Sequence, residues 1–170
     1  MTASFVVHQG DITQLRVDVI VNAANAQLSG GGGVDGAIHR AAGPKLIEAC
    51  HAIGGCPTGE ARSTPAFDLP VRAIYHAVGP VWRGGQQQEP ELLAACYRQC
   101  MQLLLHDGYQ SIAFPAISCG VYRFPLQQAA AIAVREVKNA ATDNSTVEQI
   151  IFCCFDKASA DVYRQALKSH

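Results

Sequence analysis

Residues 17–40 read VDVIVNAANAQLSGGGGVDGAIHR. The apolar run Val19–Val21 reads as a buried strand. It breaks into a polar elbow, Asn22 to Asn25, and then into four consecutive glycines, Gly30 to Gly33. From Val34 the spacing turns helical, with Val34, Ile38 and Ala41 on one face. Strand, glycine loop and helix N-terminus together make an anion cradle, because bare glycine lets backbone N–H groups approach closely and the helix adds unpaired N–H groups of its own. One residue departs from a plain phosphate cradle. Asp35 puts a carboxylate at its mouth, which points to chemistry performed beside a phosphate.

The whole chain has 170 residues, enough for one domain, 1–170, with a sizeable core. Hydrophobic residues make up 49% and charged residues 16%, so most elements should be covered on both faces, as in a layered α/β domain. The formal net charge is -1 and no Lys/Arg run occurs, which argues against a nucleic-acid surface. No apolar run is long enough to span a bilayer, and MTASFVVHQGD is not a signal segment. Seven cysteines, an odd number lying mostly in apolar runs, read as buried free thiols of a reducing, cytoplasmic setting.

On the N-terminal side, Phe5–His8 is a short strand ending at Gly10-Asp11-Ile12-Thr13. Asp11 reads either as a turn residue or cap, or as a carboxylate facing a ligand from a strand end. On the other side, Gly43-Pro44 divides one helix from the next, Pro44–Cys50. Residues 54–59 form a loop, Glu60–Pro65 a short strand and Val71–Val78 a stronger one. Within it, His76 reads as a hydrogen-bonded core histidine rather than a catalytic one. Trp82–Pro90 is expected to be a surface loop. Glu91–His106 is an amphipathic helix with Leu92, Ala95, Cys96, Met101, Leu103 and Leu104 inward. Cys96 and Cys100 share a face but lack the further ligands a metal needs. Ser111–Ile117 is a buried strand, Leu126–Asn139 a helix, Thr142–Thr146 a turn and Gln149–Phe155 a buried strand. Asp156 opens the last helix, to about Leu167.

Between Ile117 and Leu126 lies a second glycine turn, Ser118-Cys119-Gly120-Val121-Tyr122-Arg123-Phe124-Pro125. It too follows a strand and precedes a helix. Two such loops at one edge of a parallel sheet would face each other across a ligand crevice. Familiar alternatives fail on spacing. Gly31-x-Gly33-x-x-Gly36 matches GxGxxG in letters, but NAANAQLS separates it from the strand and an acid sits inside it. No GxxxxGK[ST] loop and no GxSxG elbow occur. Cys119 as a nucleophile has nothing specific to activate it.

These segments resemble the macro domains, in particular the MacroD-type branch and its bacterial O-acetyl-ADP-ribose deacetylases. The resemblance runs from Phe5 to about Leu167. It rests on GDIT at 10–13, VDVIVNAAN at 17–25, GGGVDGAIHRAAGP at 31–44, CPTGEA at 56–61, HAVGPVW at 76–82 and FPAIS-x-GVY at 114–122. It implies a three-layer α/β/α fold with a six-stranded mixed sheet and an ADP-ribose pocket. Asp11 would then accept from the adenine amino group, the Ile12 backbone would contact the ring, and Phe155 would pack against it. Gly31, Gly32, Gly33 and Val34 would lie along the diphosphate and distal ribose. Ser118, Cys119, Gly120, Val121, Tyr122, Arg123 and Phe124 would close over the diphosphate, with Tyr122 or Phe124 beside the distal ribose. Asn25 would hold the distal ribose hydroxyls, and Asp35 would orient or deprotonate the attacking water. Without the resemblance, Asp35 also reads as a helix N-terminal acid and Asn25 as a turn residue.

The implied function is a hydrolase of ADP-ribose esters, acting on O-acetyl-ADP-ribose and on mono-ADP-ribose carried by protein Asp/Glu, with no cofactor and no metal. The alternatives are a non-catalytic ADP-ribose reader and a regulatory protein partner. Two residues depart from the family pattern. Arg123 stands where glycine is usual; it reads either as an extra cation reaching over the diphosphate, the preferred expectation, or as a side chain pointing to solvent. Cys119 stands where serine or threonine is usual.

Overall fold

A computed structural model describes residues 3–141 and 146–170. The turn expected over 142–146 lies almost wholly outside them. Six strands, β1 (Ser4–Gln9), β2 (Val19–Ala23), β3 (Ala61–Thr64), β4 (Ala73–Ala77), β5 (Ser111–Phe114) and β6 (Gln149–Cys154), form one sheet in the order β1-β6-β5-β2-β4-β3. All pairings are parallel except β3 with β4. The helices are α1 (Gly33–Ala42), α2 (Lys45–Ile53), α3 (Glu89–Asp107), α4 (Leu126–Ala140) and α5 (Lys157–Ser169). This is the three-layer α/β/α arrangement with a six-stranded mixed sheet that the resemblance implies.

The strands' period-2 alternation feeds two cores. Val19, Val21, Tyr75, Phe114 and Phe152 pack toward α3, α4 and α5, while Ile20, Ile74, Ala113 and Ile151 pack with Ile38 and Leu46 of the α1–α2 layer. Asn22 and His76 fall on the second set of positions. They stand opposite each other in register and are both wholly buried. Two polar groups are thereby aimed into the apolar layer beneath α1.

The sheet parts at one seam. β2–β4 pairing runs from Val19↔Ala73 to Ala23↔Ala77, and β5–β6 pairing reaches Phe114↔Phe152. Between β2 and β5 only Val19↔Ile112 and Ile20↔Ala113 pair. From β2 the chain proceeds toward β4 and β3 on one side, and from β5 toward β6 on the other. Adjacent parallel strands whose connections diverge form a topological switch point, where ligands bind beyond the carboxyl ends.

Several boundaries differ from the sequence expectation. β5 stops at Phe114, and residues 115–117 leave the ladder rather than extending the strand to Ile117. β6 ends at Cys154, so Phe155 is not part of a buried strand but is 92% exposed. α3 begins at Glu89, and its inner face is Leu93, Ala94, Cys96, Tyr97, Cys100, Met101 and Leu104. Leu92, Ala95 and Leu103 are only half-buried, because Tyr97 and Cys100 extend the apolar stripe round the helix. Nor is 82–90 a purely solvated loop. Glu89 is buried, and its carboxylate accepts backbone N–H bonds from Arg83, Gly85 and Gln87. Burial alone would raise its pKa, but those donors outweigh it and hold it at about 2. All seven cysteines are free, six of them buried.

Candidate active site

Parallel strands bring their carboxyl ends to one edge. Along it stand Asp11 after β1, Phe155 after β6, residues 118–124 after β5, residues 25–35 after β2 and residues 78–82 after β4. From β1 to β2 is three strand spacings, about 14 Å. Positions 35 and 122 therefore flank the seam between β2 and β5 on the same edge.

In the first loop, Asn25 braces a turn. Its Nδ2 donates to Gly30 O at 3.0 Å, and its Oδ1 accepts from Ser29 N at 3.0 Å and Ser29 Oγ at 3.3 Å. Gly32 is the N-cap of α1 and supplies no side-chain cap, which leaves the first-turn N–H groups of α1 open. A Cβ on Gly32 would meet nothing within 4 Å, and the φ of Gly32 is -94°. Neither packing nor backbone conformation requires glycine there. Gly36 differs, since a Cβ there would stand 2.6 Å from Gly31 O.

Asp35 is on the buried face of α1, 6% exposed. Its Oδ1 accepts from Asn22 Nδ2 at 2.9 Å and lies 3.3 Å from His39 Nε2. Its Oδ2 has no hydrogen-bond partner among the described residues, yet is not sealed from solvent. One oxygen is anchored and the other is left to meet a ligand or water. Behind Asn22 sits His76, whose Nδ1 is 3.0 Å from Asn22 Nδ2 and whose Nε2 is 2.9 Å from Thr64 Oγ1. We assign the tautomer from these contacts. The Asn22 amide spends one hydrogen on Asp35 and one on His76 Nδ1, so the imidazole proton is on Nε2 and faces Thr64. Burial, with a lesser contribution from His39, pulls the His76 pKa down to about 4, which keeps the ring neutral. His76 is thus the hydrogen-bonded core histidine read from the sequence.

The second loop closes on itself. Arg123 N donates to Gly120 O at 3.0 Å and Phe124 N to Ser118 O at 2.9 Å. The N–H groups of Gly120, Val121 and Tyr122 have no partner among the described residues. A run of free N–H groups in a tight turn is an anion-binding concavity. A Cβ on Gly120 would also meet nothing within 4 Å. Ser118 and Arg123 hold φ of 67° and 62°, the left-handed region. Ser118 is 7% exposed, and its Oγ has no partner among the described residues. A Cβ on Gly79, after β4, would collide with that Oγ. The loop is tied to the β4 side by Trp82 N donating to Tyr122 O at 2.8 Å and by Trp82 against Phe124, with centroids 4.8 Å apart. Burial pushes the Cys119 thiol up to about 12, so it stays protonated and unreactive.

At the far end, Asp11 caps the turn Ile12–Gln14. Its Oδ1 accepts from Thr13 N at 2.9 Å and Thr13 Oγ1 at 2.7 Å, and its Oδ2 remains unbonded among the described residues. Ile12 is buried beneath it, and Val121 and Phe155 are each 92% exposed. No group of three His, Cys, Asp or Glu side chains comes together among the described residues as a metal site would.

Sequence reasoning missed Asn22 and His39. His39 is four residues beyond Asp35 and so shares its helix face. A polar residue inside an apolar strand is the signal that marks Asn22.

The Macro domain family model matches residues 21–133. An O-acetyl-ADP-ribose deacetylase of Salmonella typhimurium is 56% identical over 171 residues, covering 98% of this chain and 96% of that one. A macro domain-containing protein of Chlorobaculum tepidum is 55% identical over 159 residues, 94% of this chain and 92% of its own. Among solved structures, the Oceanobacillus iheyensis macrodomain with ADP superposes with a TM-score of 0.91 at 43% identity, covering 96% and 89% of the two chains. The Trypanosoma brucei macrodomain in complex with ADP-ribose gives 0.89 at 40% identity, covering 96% and 68%.

Proposed function

This chain belongs to the macro domain family, and from that membership we propose that it is an enzyme: a hydrolase that deacetylates O-acetyl-ADP-ribose and also removes mono-ADP-ribose esterified to protein Asp/Glu. The observation that carries the reading is the half-anchored Asp35 carboxylate. Oδ1 is held by Asn22 and Oδ2 is free beside the glycine loop. A carboxylate so fixed accepts a proton from water without first reorganising. A module that only binds ADP-ribose has no need of it.

The substrate runs along the strand ends. Asp11 Oδ2 accepts from the adenine amino group, with the Ile12 backbone at the ring edge and Phe155 covering its face, which accounts for so large an exposed ring. The diphosphate lies between the N–H groups of Gly31, Gly32, Gly33 and Val34 and those of the second loop, Ser118 to Phe124. Gly32 and Gly120, glycines that the protein's own packing does not demand, support close backbone approach from both sides. Tyr122 and Phe124 flank the distal ribose. Asn25 keeps one amide hydrogen for its hydroxyls beyond the bond to Gly30.

In the reaction, water between Asp35 and the substrate phosphate attacks either the ester carbonyl or the anomeric carbon, and Asp35 takes its proton. Incubating O-acetyl-ADP-ribose with wild type and Asp35→Ala, followed by NMR for acetate, tests the assignment. The variant should lose on the order of 10²–10⁴-fold in rate. Acetate release at wild-type rate would remove Asp35 from the mechanism.

A further inference from the structure

The first glycine loop has a second side. Behind it, toward the end of α1 and the start of α2, is a hollow of about 450 Å³ lined by Gly30, Gly31, His39, Arg40, Pro44 and Ile47 among others. Two of these residues border the Asp35 carboxylate. His39 Nε2 is 3.3 Å from Oδ1, and a Cβ on Gly31 would stand 3.4 Å from Oδ2. The hollow and the carboxylate therefore share a wall.

Its chemistry is mixed in a particular way. Ile47 Cδ1 comes within 3.8 Å of where a Gly30 Cβ would be, giving an apolar floor. Arg40 is exposed and forms none of the ion pairs among the described residues. One of its guanidinium nitrogens folds to 3.1 Å from where a Gly36 Cβ would be, a position itself 2.6 Å from Gly31 O. An unpaired cation thus stands over a short apolar surface, next to a candidate base.

An ADP-ribose ester has two halves, and the strand-end crevice accounts only for the nucleotide half. We propose that this hollow is the subsite for the carboxylic-acid half: the acetyl group, or the side chain of an ADP-ribosylated Asp or Glu. The proposal rests on the hydrolase reading. Attack at the carbonyl breaks the acyl carbon–oxygen bond and leaves the ribose hydroxyl; attack at the anomeric carbon, for an acid carried on that carbon, breaks the anomeric carbon–oxygen bond and expels the carboxylate. The products are ADP-ribose, a carboxylate and one proton released by way of Asp35. The acid half enters uncharged and leaves as an anion. Arg40 pairs with the charge as it develops, bidentately, while the alkyl part rests on Ile47. An attraction that grows along the reaction raises turnover more than substrate affinity.

The test uses Arg40→Gln, Arg40→Lys and Ile47→Trp, the last to fill the hollow. Each is assayed on O-acetyl-ADP-ribose and on a glutamate-linked mono-ADP-ribosylated protein, with ADP-ribose affinity measured by calorimetry. Arg40→Gln should lower kcat on both esters by about tenfold, the size of one charged hydrogen bond, and Arg40→Lys should recover part of it. Ile47→Trp should cost more on the protein ester, whose acid half is longer. ADP-ribose affinity should stay within about twofold throughout, since the nucleotide half is bound elsewhere. Inhibition by added acetate should weaken in Arg40→Gln. Turnover of both esters at wild-type rate by Arg40→Gln and Ile47→Trp overturns the subsite and leaves the hydrolase standing. Loss of ADP-ribose affinity in step with turnover also overturns it, by assigning these residues to the nucleotide crevice. A wild-type protein that binds ADP-ribose and releases no acetate overturns the hydrolase reading itself, and the subsite with it.

Discussion

The two loops that face each other across the β2–β5 seam solve one problem by opposite means. The first, 30–35, uses four glycines. Its helix cap has no side chain, and a carboxylate behind it is anchored through Asn22, His76 and Thr64 to the sheet. The second, 118–124, has one glycine and forces two ordinary residues, Ser118 and Arg123, into left-handed backbone. Among the described residues no polar network of comparable depth backs it. Non-glycine residues in that region cost of order 1 kcal/mol each and survive where surrounding contacts impose them, here the Trp82–Tyr122 hydrogen bond and the Trp82–Phe124 packing. One loop is shaped by what it lacks, and the other by what holds it down.

Acid breaks that contrast most strongly. Because His76 is held near 4, below the ordinary 6.5 of a free histidine, the unfolded chain binds more protons than the folded one between those values. Stability is therefore fully present above pH 6.5, falls as pH drops toward 4, and levels off below it. The loss from His76 is on the order of 3 kcal/mol, read from urea unfolding at a series of pH values. A proton on Nδ1 would also face the Asn22 amide, freeing Asn22 from Asp35, so turnover should fall over the same range. A His76→Gln variant whose pH–stability slope matches wild type would show that the network is not titrating.

Next in size are the glycines. Gly36→Ala puts a methyl 2.6 Å from a backbone oxygen and should destabilise by about 2 kcal/mol in thermal unfolding. Gly120→Val enters open space at ordinary φ. It should change stability by less than about 0.5 kcal/mol while weakening ADP-ribose binding on the order of tenfold by calorimetry. If Gly120→Val unfolds the protein instead, the second loop's glycine is structural and the contrast between the loops disappears. The smallest effect is Arg123→Gly. Relief of the left-handed strain, less the entropy glycine brings, should stabilise by about 0.5–1 kcal/mol. If the guanidinium reaches the diphosphate, the same variant loses ADP-ribose affinity. Unchanged affinity would assign Arg123 to solvent.

The chain's layered fold was legible because its signals are local. Apolar runs such as Val19–Val21 and Ile150–Phe152 are too continuous for a one-sided sheet, and glycine or proline punctuates nearly every connection. That a glycine turn at each of these two connections leaves backbone N–H groups open was legible for the same reason. The ends of elements were less so. Ile117 is as apolar as any strand residue, yet the ladder stops at Phe114 because the β2 partner has already turned away. Phe155 looked buried by composition alone and is exposed, a fact that depends on what lies beyond the last ladder bond. The Asn22–Asp35 bond was not legible at all. It needs β2 and α1 to fold back on each other, and a single asparagine does not announce its partner.

Gly79 and Ser118 carry one last consequence, for how this protein's descendants are free to vary. A methyl at 79 would collide with the Ser118 hydroxyl and would stand 2.7 Å from Ile117 Cγ2. The reverse change at 118, to glycine, meets no such obstacle and suits the backbone already there. Drift at these two sites is a ratchet with a preferred order: trimming at 118, together with an adjustment at 117, opens a route to larger residues at 79, whereas lineages that begin at 79 run into a wall.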